Sequence, residues 1–160
     1  WAPKSRMVLY FDELKVSKSM RNILNRNTFT ITFNQKFREV ISNCSLIKRE
    51  GQGGTWISQE MIEAYCKLNE LGIAKSVEVW QNDELVGGLY GIDLGDVFRG
   101  ESMFSKVSNA SKVAFITLAN KLKNENYKLL DCQVYNEHLD SLGCREIDRD
   151  EFMNLLYSGF

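Results

Sequence analysis

Three short segments hold most of the side chains in this chain that could do chemistry: Gly87-Gly88-Leu89-Tyr90-Gly91, Gly100-Glu101-Ser102-Met103-Phe104-Ser105 and Leu130-Asp131-Cys132-Gln133-Val134. Each falls where an apolar run ends or bends. Together they set one glutamate, one aspartate and one glutamine among glycines and large apolar side chains. That combination suits a narrow pocket for an apolar group, with a few polar handles at its mouth.

The four cysteines, Cys44, Cys66, Cys132 and Cys144, form no CxxC pair, and His138 is the only histidine. Both facts argue against zinc, whose ligands usually come in close pairs. The helical periodicity of the chain argues equally against a disulfide framework. They read as reduced thiols of a cytosolic protein. Cys132 is flanked by Asp131, whose charge would raise a thiol pKa, the wrong direction for a nucleophile. It reads as a packed strand residue.

These segments need a scaffold, and 160 residues suffice for one domain, taken as residues 1–160, with a substantial core. A hydrophobic content of 44% and a charged content of 26% are ordinary for a soluble globular protein. The net charge of −1 supplies no global field to collect nucleic acid, so such contact would need a local basic patch. No stretch reaches the ~20 apolar residues that span a bilayer. Trp1-Ala2-Pro3-Lys4-Ser5-Arg6 has neither an initiator Met nor a signal-peptide pattern, and Trp1 reads as the cut edge of a longer chain.

Met7, Leu9 and Phe11 share one face of a strand over residues 6–11, and residues 29–33 alternate cleanly as another. Ser17 caps a helix to Arg26 that buries Met20, Ile23 and Leu24. Phe37, Val40, Ile41 and Cys44 follow helical spacing. Residues 50–55 form a glycine-rich loop with no Gly-Lys-Ser/Thr, so it is not a P-loop. Ser58 caps a helix stopped by Gly72, and the turn Asn82-Asp83 joins strands 76–80 and 84–92. A strand then begins at Val97. Ser108 or Asn109 caps a long helix with Ala114, Phe115, Leu118 and Leu122 inward. Residues 128–134 form a strand, 136–142 a brief helix ended by Gly143, and Asp148 caps a last helix. Antiparallel strands followed by one helix–strand step predict an α+β mixed sheet with a parallel pair near its end, the plan of the GNAT acyltransferases.

Nine such words, in order and with compatible spacing, resemble the leucyl/phenylalanyl-tRNA–protein transferases. They are Trp1-Ala2-Pro3, Ser17-Lys18-Ser19-Met20, Gly54-Thr55-Trp56-Ile57, Ser76-Val77-Glu78-Val79-Trp80, Leu85 to Gly91, Gly100 to Ser105, Asn109-Ala110-Ser111-Lys112, Leu130-Asp131-Cys132-Gln133 and His138 to Gly143. The resemblance implies a GNAT-like catalytic domain without a cofactor, which takes leucine or phenylalanine from aminoacyl-tRNA. It implies transfer to proteins beginning with arginine or lysine, which marks them for degradation. The sequence lacks the Arg/Gln-x-x-Gly-x-Gly/Ala motif of CoA-dependent relatives, which independently favours a different donor. The family's N-terminal domain, with its Phe-Pro-Trp stretch, is missing from this sequence. The loop before Thr55 is longer than the family's, and Lys75 stands where a histidine is often found.

The reaction so implied is aminolysis of an ester by the acceptor's α-amine, which asks for positioning and proton management. Asp131 and Gln133, two apart on a strand, are expected to share one face, Asp131 orienting Gln133 and the amide oxygen of Gln133 receiving the amine. An amide is a poor base, so this is orientation rather than strong base catalysis. By its family position, Glu101 holds the donor's α-ammonium or the terminal ribose hydroxyls, although a surface carboxylate is its commoner state. Leu89, Phe98, Met103 and Leu118 are expected to line the leucine or phenylalanine pocket, ordinary core being the alternative. Trp56 either stacks on the terminal adenine or is structural. Lys18 and Arg21, with Lys15 nearby, form the local basic cluster for tRNA phosphates, or a solvated helix face. Asn136 helps to order the acceptor, and His138 caps or packs against the short helix. Two other functions stay open: an acyl-CoA-dependent N-acyltransferase, and a non-catalytic homologue that binds tRNA ends or basic N-termini.

Overall fold

The computed structural model describes residues 4–47, 57–133 and 136–157. Trp1-Ala2-Pro3, the glycine-rich loop, Trp56 and Val134 lie outside the described residues. In chain order the elements are β1 (Ser5–Leu9), α1 (Lys18–Asn25), β2 (Thr30–Phe33), α2 (Phe37–Ser45), α3 (Gln59–Glu70), β3 (Ala74–Gln81) and β4 (Glu84–Asp93). They continue with β5 (Val97–Ser105), α4 (Ala110–Asn124), β6 (Leu129–Gln133), α5 (Glu137–Ser141), β7 (Arg145–Asp148) and α6 (Arg149–Tyr157).

The strands form one seven-stranded sheet in the order β2-β3-β4-β5-β6-β1-β7. All pairs are antiparallel except β5 with β6. This is the expected α+β, GNAT-like mixed sheet flanked by helices. Local chemistry accounts for its boundaries. Ser17 and Ser58 accept the backbone N–H groups of Met20 and Met61 at the starts of α1 and α3. Asn82 and Asp83 both take positive φ, the turn that fits a right-twisted hairpin. Asp148 accepts the N–H of Glu151 at the start of α6.

Three differences from the sequence reading stand out. The first strand ends at Leu9, and Phe11 falls in a short 3-10 turn. Asn109 begins α4 with φ +71 and no side-chain cap. The strand β7 escapes pattern reading because only Ile147 of its four residues is buried.

One apolar cluster lies under α1 and α4, with Met20, Leu89, Phe98, Phe115, Leu118 and Leu130. A second lies under α2 and α3 and includes Phe37, Ile41, Tyr90 and Phe104. A third joins Val8, Val97, Leu129 and Ile147 to Phe152 of α6. Helix α4 approaches β4 so closely that a Cβ on Gly87 would lie 2.6 Å from the Cβ of Ala110. The glycine lets this helix seat on the sheet.

A β-bulge sets the geometry of β5. Gly91 pairs with Gly100 and Tyr90 with Ser102, so Glu101 is the extra residue. The extra residue breaks the alternation, which puts Phe98 and Met103 on one sheet face although they are five apart in sequence. Gly91 is required opposite, because a Cβ there would strike the Arg99 carbonyl and the Phe98 ring.

Candidate active site

The parallel pairing of β5 and β6 runs from Val97–Leu129 to Arg99–Asp131 and stops. Strand β5 continues to Ser105, so the two strands part beyond that point. A cavity of about 930 Å³ opens there, large enough for a sizeable ligand. Leu89, Met103, Phe115, Leu118, Leu130, Cys132 and Leu139 line it from the α4 side. Tyr65 of α3 and Tyr90 line it from the opposite face, and Arg99, Gly100, Glu101, Gln133, Asn136 and His138 add polar groups to the wall. The gap between the strands thus joins an apolar compartment to a polar one.

Gln133 ends β6 with φ +71, a left-handed conformation that a residue with a Cβ adopts only when held. The hold is Asp131, whose Oδ1 accepts the Gln133 backbone N–H at 2.9 Å, an Asx-type turn. Asp131 is held in turn by Arg6 of β1, Nη2 to Oδ2 at 2.6 Å and Nε to Oδ1 at 3.2 Å. The two side chains are 11% and 2% exposed, and the Arg6 guanidinium lies 4.7 Å from the centre of the Phe152 ring. Such a paired fork fixes direction as well as charge.

The side chain of Gln133 turns towards β5. Its Nε2 donates to the Gly100 carbonyl at 2.8 Å, which bridges the gap between the strands. It also lies beside Glu101, which faces Tyr65 and pairs with Arg99 at 3.3 Å. Burial raises the Glu101 carboxyl above its ordinary pKa, and the nearby charge of Asp131 adds to the rise. Arg99, Gln133 and Tyr65 oppose it without cancelling it. Burial likewise raises the pKa of the Tyr65 hydroxyl, with Glu101 adding to the effect. Burial, and secondarily Lys112, lowers the pKa of His138, whose Nε2 is buried without a hydrogen-bond partner among the described residues.

The cavity brings together six of the candidates: Gln133, Glu101, Leu89, Met103, Leu118 and Asn136. Asn136 also caps α5, its Oδ1 accepting from the N–H groups of His138 and Leu139. Two expectations need correction. Asp131 and Gln133 do not present their side chains side by side, because the left-handed turn at Gln133 breaks the strand's alternation. Asp131 faces Arg6 and is absent from the cavity wall, and it orders Gln133 through the backbone. Phe98 does not line the cavity either; it is 2% exposed and packs in the core behind Gly91. Lys18 and Arg21 are exposed on α1 and form no ion pair among the described residues. Sequence reasoning missed Arg6, Arg99 and Tyr65. Arg6 is 125 positions from its partner, and Tyr65 reads as one more apolar helix residue.

Among the described residues, no cluster of three or more His, Cys, Asp or Glu side chains could hold a metal ion. No described helix is long and apolar enough to cross a membrane.

Residues 8–157 match the model of the leucyl/phenylalanyl-tRNA protein transferase family. A protein of that name from Flavobacterium johnsoniae is 75% identical over 158 residues, covering 99% of this chain and 74% of the relative. Its counterpart from Flavobacterium psychrophilum is 69% identical over 156 residues, covering 98% and 74%. Among solved structures, an aminoglycoside acetyltransferase from an uncultured soil metagenomic sample superposes with a TM-score of 0.53. It is 13% identical and covers 72% of this chain and 85% of its own, so it speaks for the fold alone.

Replacing Arg6 with Ala strands a buried carboxylate and should cost about 3–5 kcal/mol in urea denaturation. Adding Asp131→Asn should recover much of that loss, whereas purely additive losses would dissolve the proposed coupling. Glu101 carries the opposite sign. A raised pKa means that the folded state holds the proton more tightly than the unfolded chain does. The cost of burying this carboxylate is therefore absent below the unfolded pKa of about 4 and complete above the raised value. Glu101→Gln should melt higher than the parent at pH 7, and the difference should vanish as the pH falls below about 4. A difference independent of pH would count against this assignment.

Proposed function

The chain belongs to the leucyl/phenylalanyl-tRNA–protein transferase family, and we propose that its cavity takes the esterified end of a leucyl- or phenylalanyl-tRNA for attack by an acceptor protein's α-amine. Acceptors would begin with arginine or lysine, and the product would be a protein marked for degradation. Residues 1–160 would act as one catalytic domain, with no cofactor in the reaction.

The hydrogen bonding of Gln133 carries this reading. Nε2 has two protons, one given to the Gly100 carbonyl and the other facing Glu101. With Nε2 bound to Gly100, the side-chain oxygen offers acceptor capacity to an incoming amine. Its position is held by Asp131 through the backbone and by Arg6 behind that. The amine must attack as the neutral base, and its proton ends on the ribose oxygen, which leaves as a hydroxyl. The ester is already activated, so a fixed acceptor and close approach supply most of what is needed.

The donor's side chain would enter the compartment of Leu89, Met103, Phe115 and Leu118, where one methylene is worth about 1–3 kcal/mol. Modest selectivity between leucine and phenylalanine follows, while a β-branched side chain would be rejected by shape. Glu101, placed at the waist between the two compartments, would accept hydrogen bonds from the donor's α-ammonium or a ribose hydroxyl. Lys18 and Arg21 would meet phosphates of the acceptor arm, a contact indifferent to base sequence. Trp56 would stack on the terminal adenine.

The test supplies labelled leucyl-tRNA and a peptide beginning with Arg or Lys, and reads the mass gained at the peptide's α-amine. Transfer is expected, with Gln133→Ala lowering kcat by about 10²-fold or more. Transfer from acetyl-CoA, or tRNA binding without turnover, would instead favour an acyl-CoA enzyme or a binding module. Changing Lys18 and Arg21 together to Ala should weaken tRNA binding and flatten its logarithmic salt dependence by about 2. Unchanged affinity and slope would reduce that cluster to a solvated helix face.

A further inference from the structure

Cys132 and Cys144 sit Sγ to Sγ at 3.8 Å, both as free thiols. Cys132 belongs to the cavity wall, between the residue that holds Gln133 and Gln133 itself. Cys144 is buried just before β7, its N–H bound to the Leu139 carbonyl at the end of α5. The segment between them carries Asn136, His138 and Leu139 into the cavity wall. The other two cysteines, Cys44 and Cys66, pack in the cluster under α2 and α3, away from this pair.

We propose that Cys132 and Cys144 form a peroxide-responsive pair whose disulfide remodels the cavity wall at Cys132 and Gln133 and switches the reaction off. The reaction in question is the aminoacyl transfer proposed above, on which this effect rests. The cavity gives a small peroxide access to Cys132. The Cys132 thiolate attacks one peroxide oxygen, the O–O bond breaks, and a sulfenic acid forms as water leaves. The Cys144 sulfur then attacks the sulfenic sulfur, the S–S bond forms, and a second water leaves. Two thiols and one peroxide give one disulfide and two waters, the sulfurs being oxidised and the peroxide reduced.

Bond formation draws the sulfurs together by about 1.8 Å, to the ~2.05 Å of a disulfide. That movement falls next to Gln133, which stays in its left-handed turn only while Asp131 accepts its N–H. It also ties the end of β6 to the turn after α5, which restrains Asn136, His138 and Leu139 in the cavity wall. The hydrogen bond shared with Cys144, burial and the charge of Asp131 hold the Cys132 thiol well above its ordinary pKa. Thiolate is scarce at neutral pH, so the pair responds to sustained peroxide and ignores traces.

The experiment treats the reduced protein with hydrogen peroxide, alkylates the remaining thiols and maps peptides without reduction. A Cys132–Cys144 peptide is expected, with transfer lowered roughly 10–100-fold and restored by dithiothreitol. Cys144→Ala should transfer like the parent before treatment and keep its activity after the same dose. Hydrogen exchange over residues 136–143 should slow in the cross-linked parent, whatever reaction the protein catalyses. That readout separates a failure of the disulfide from a failure of the transferase reading. Absence of the linked peptide, a link that leaves exchange over 136–143 unchanged, or equal inactivation of Cys144→Ala would each overturn the proposal.

Discussion

A buried charge pair sets the end of β6, and the candidate site is arranged around it. Arg6 and Asp131 meet within the sheet, and the cost of taking both charges out of water is offset only by close, paired hydrogen bonds. A hydrophobic pair of similar volume could hold two strands together as well. It could not accept the N–H of Gln133, and that acceptance is what stabilises a left-handed residue at the strand end. The charge is therefore placed for direction more than for stability. This also explains the position of β1 between β6 and β7, since it delivers Arg6 to the back of the site.

The second constraint is the parting of a parallel pair. Backbone groups beyond Arg99 and Asp131 lose their ladder partners, and unpaired buried groups are costly. Gln133 answers for one of them by bonding the Gly100 carbonyl through its side chain. The bulge at Glu101 does related work on the other strand. It changes the face to which β5 directs its side chains, so that Met103 meets the apolar compartment while Glu101 reaches Tyr65. Gly91 accommodates the bulge, and Gly87 lets α4 close the apolar side.

How much of this was legible in the sequence depends on the range of the interaction. Caps and turns are local, and Ser17, Ser58, Asn82-Asp83 and Asp148 read correctly because each bonds within a few residues of itself. Glu101, Gln133, Leu89, Met103 and Leu118 could be gathered from glycine-punctuated strands and from family resemblance. Strand alternation misplaces Asp131 relative to Gln133, because it presumes φ below zero at both residues. Phe98 reads as a pocket residue because an apolar residue beside a bulge looks the same whether it faces a cavity or the core. Arg6 and Tyr65 left no signal, since their meaning comes from partners in distant strands.

In the proposed reaction, the use of an amide where a stronger base would be expected follows from the environment. Glu101 already sits in this waist with its pKa raised, and Asp131 adds negative charge behind it. Another ionised carboxylate at position 133 would face both, and like charges in a poorly solvated site drive one another to the neutral form. A lysine or arginine there would offer only donors and would repel a protonated amine on approach. Glutamine adds no charge, bonds Gly100 through its nitrogen and would still keep an oxygen for the amine. The arrangement gives up base strength, which an activated ester needs little of, and keeps fixed geometry, which aminolysis needs most.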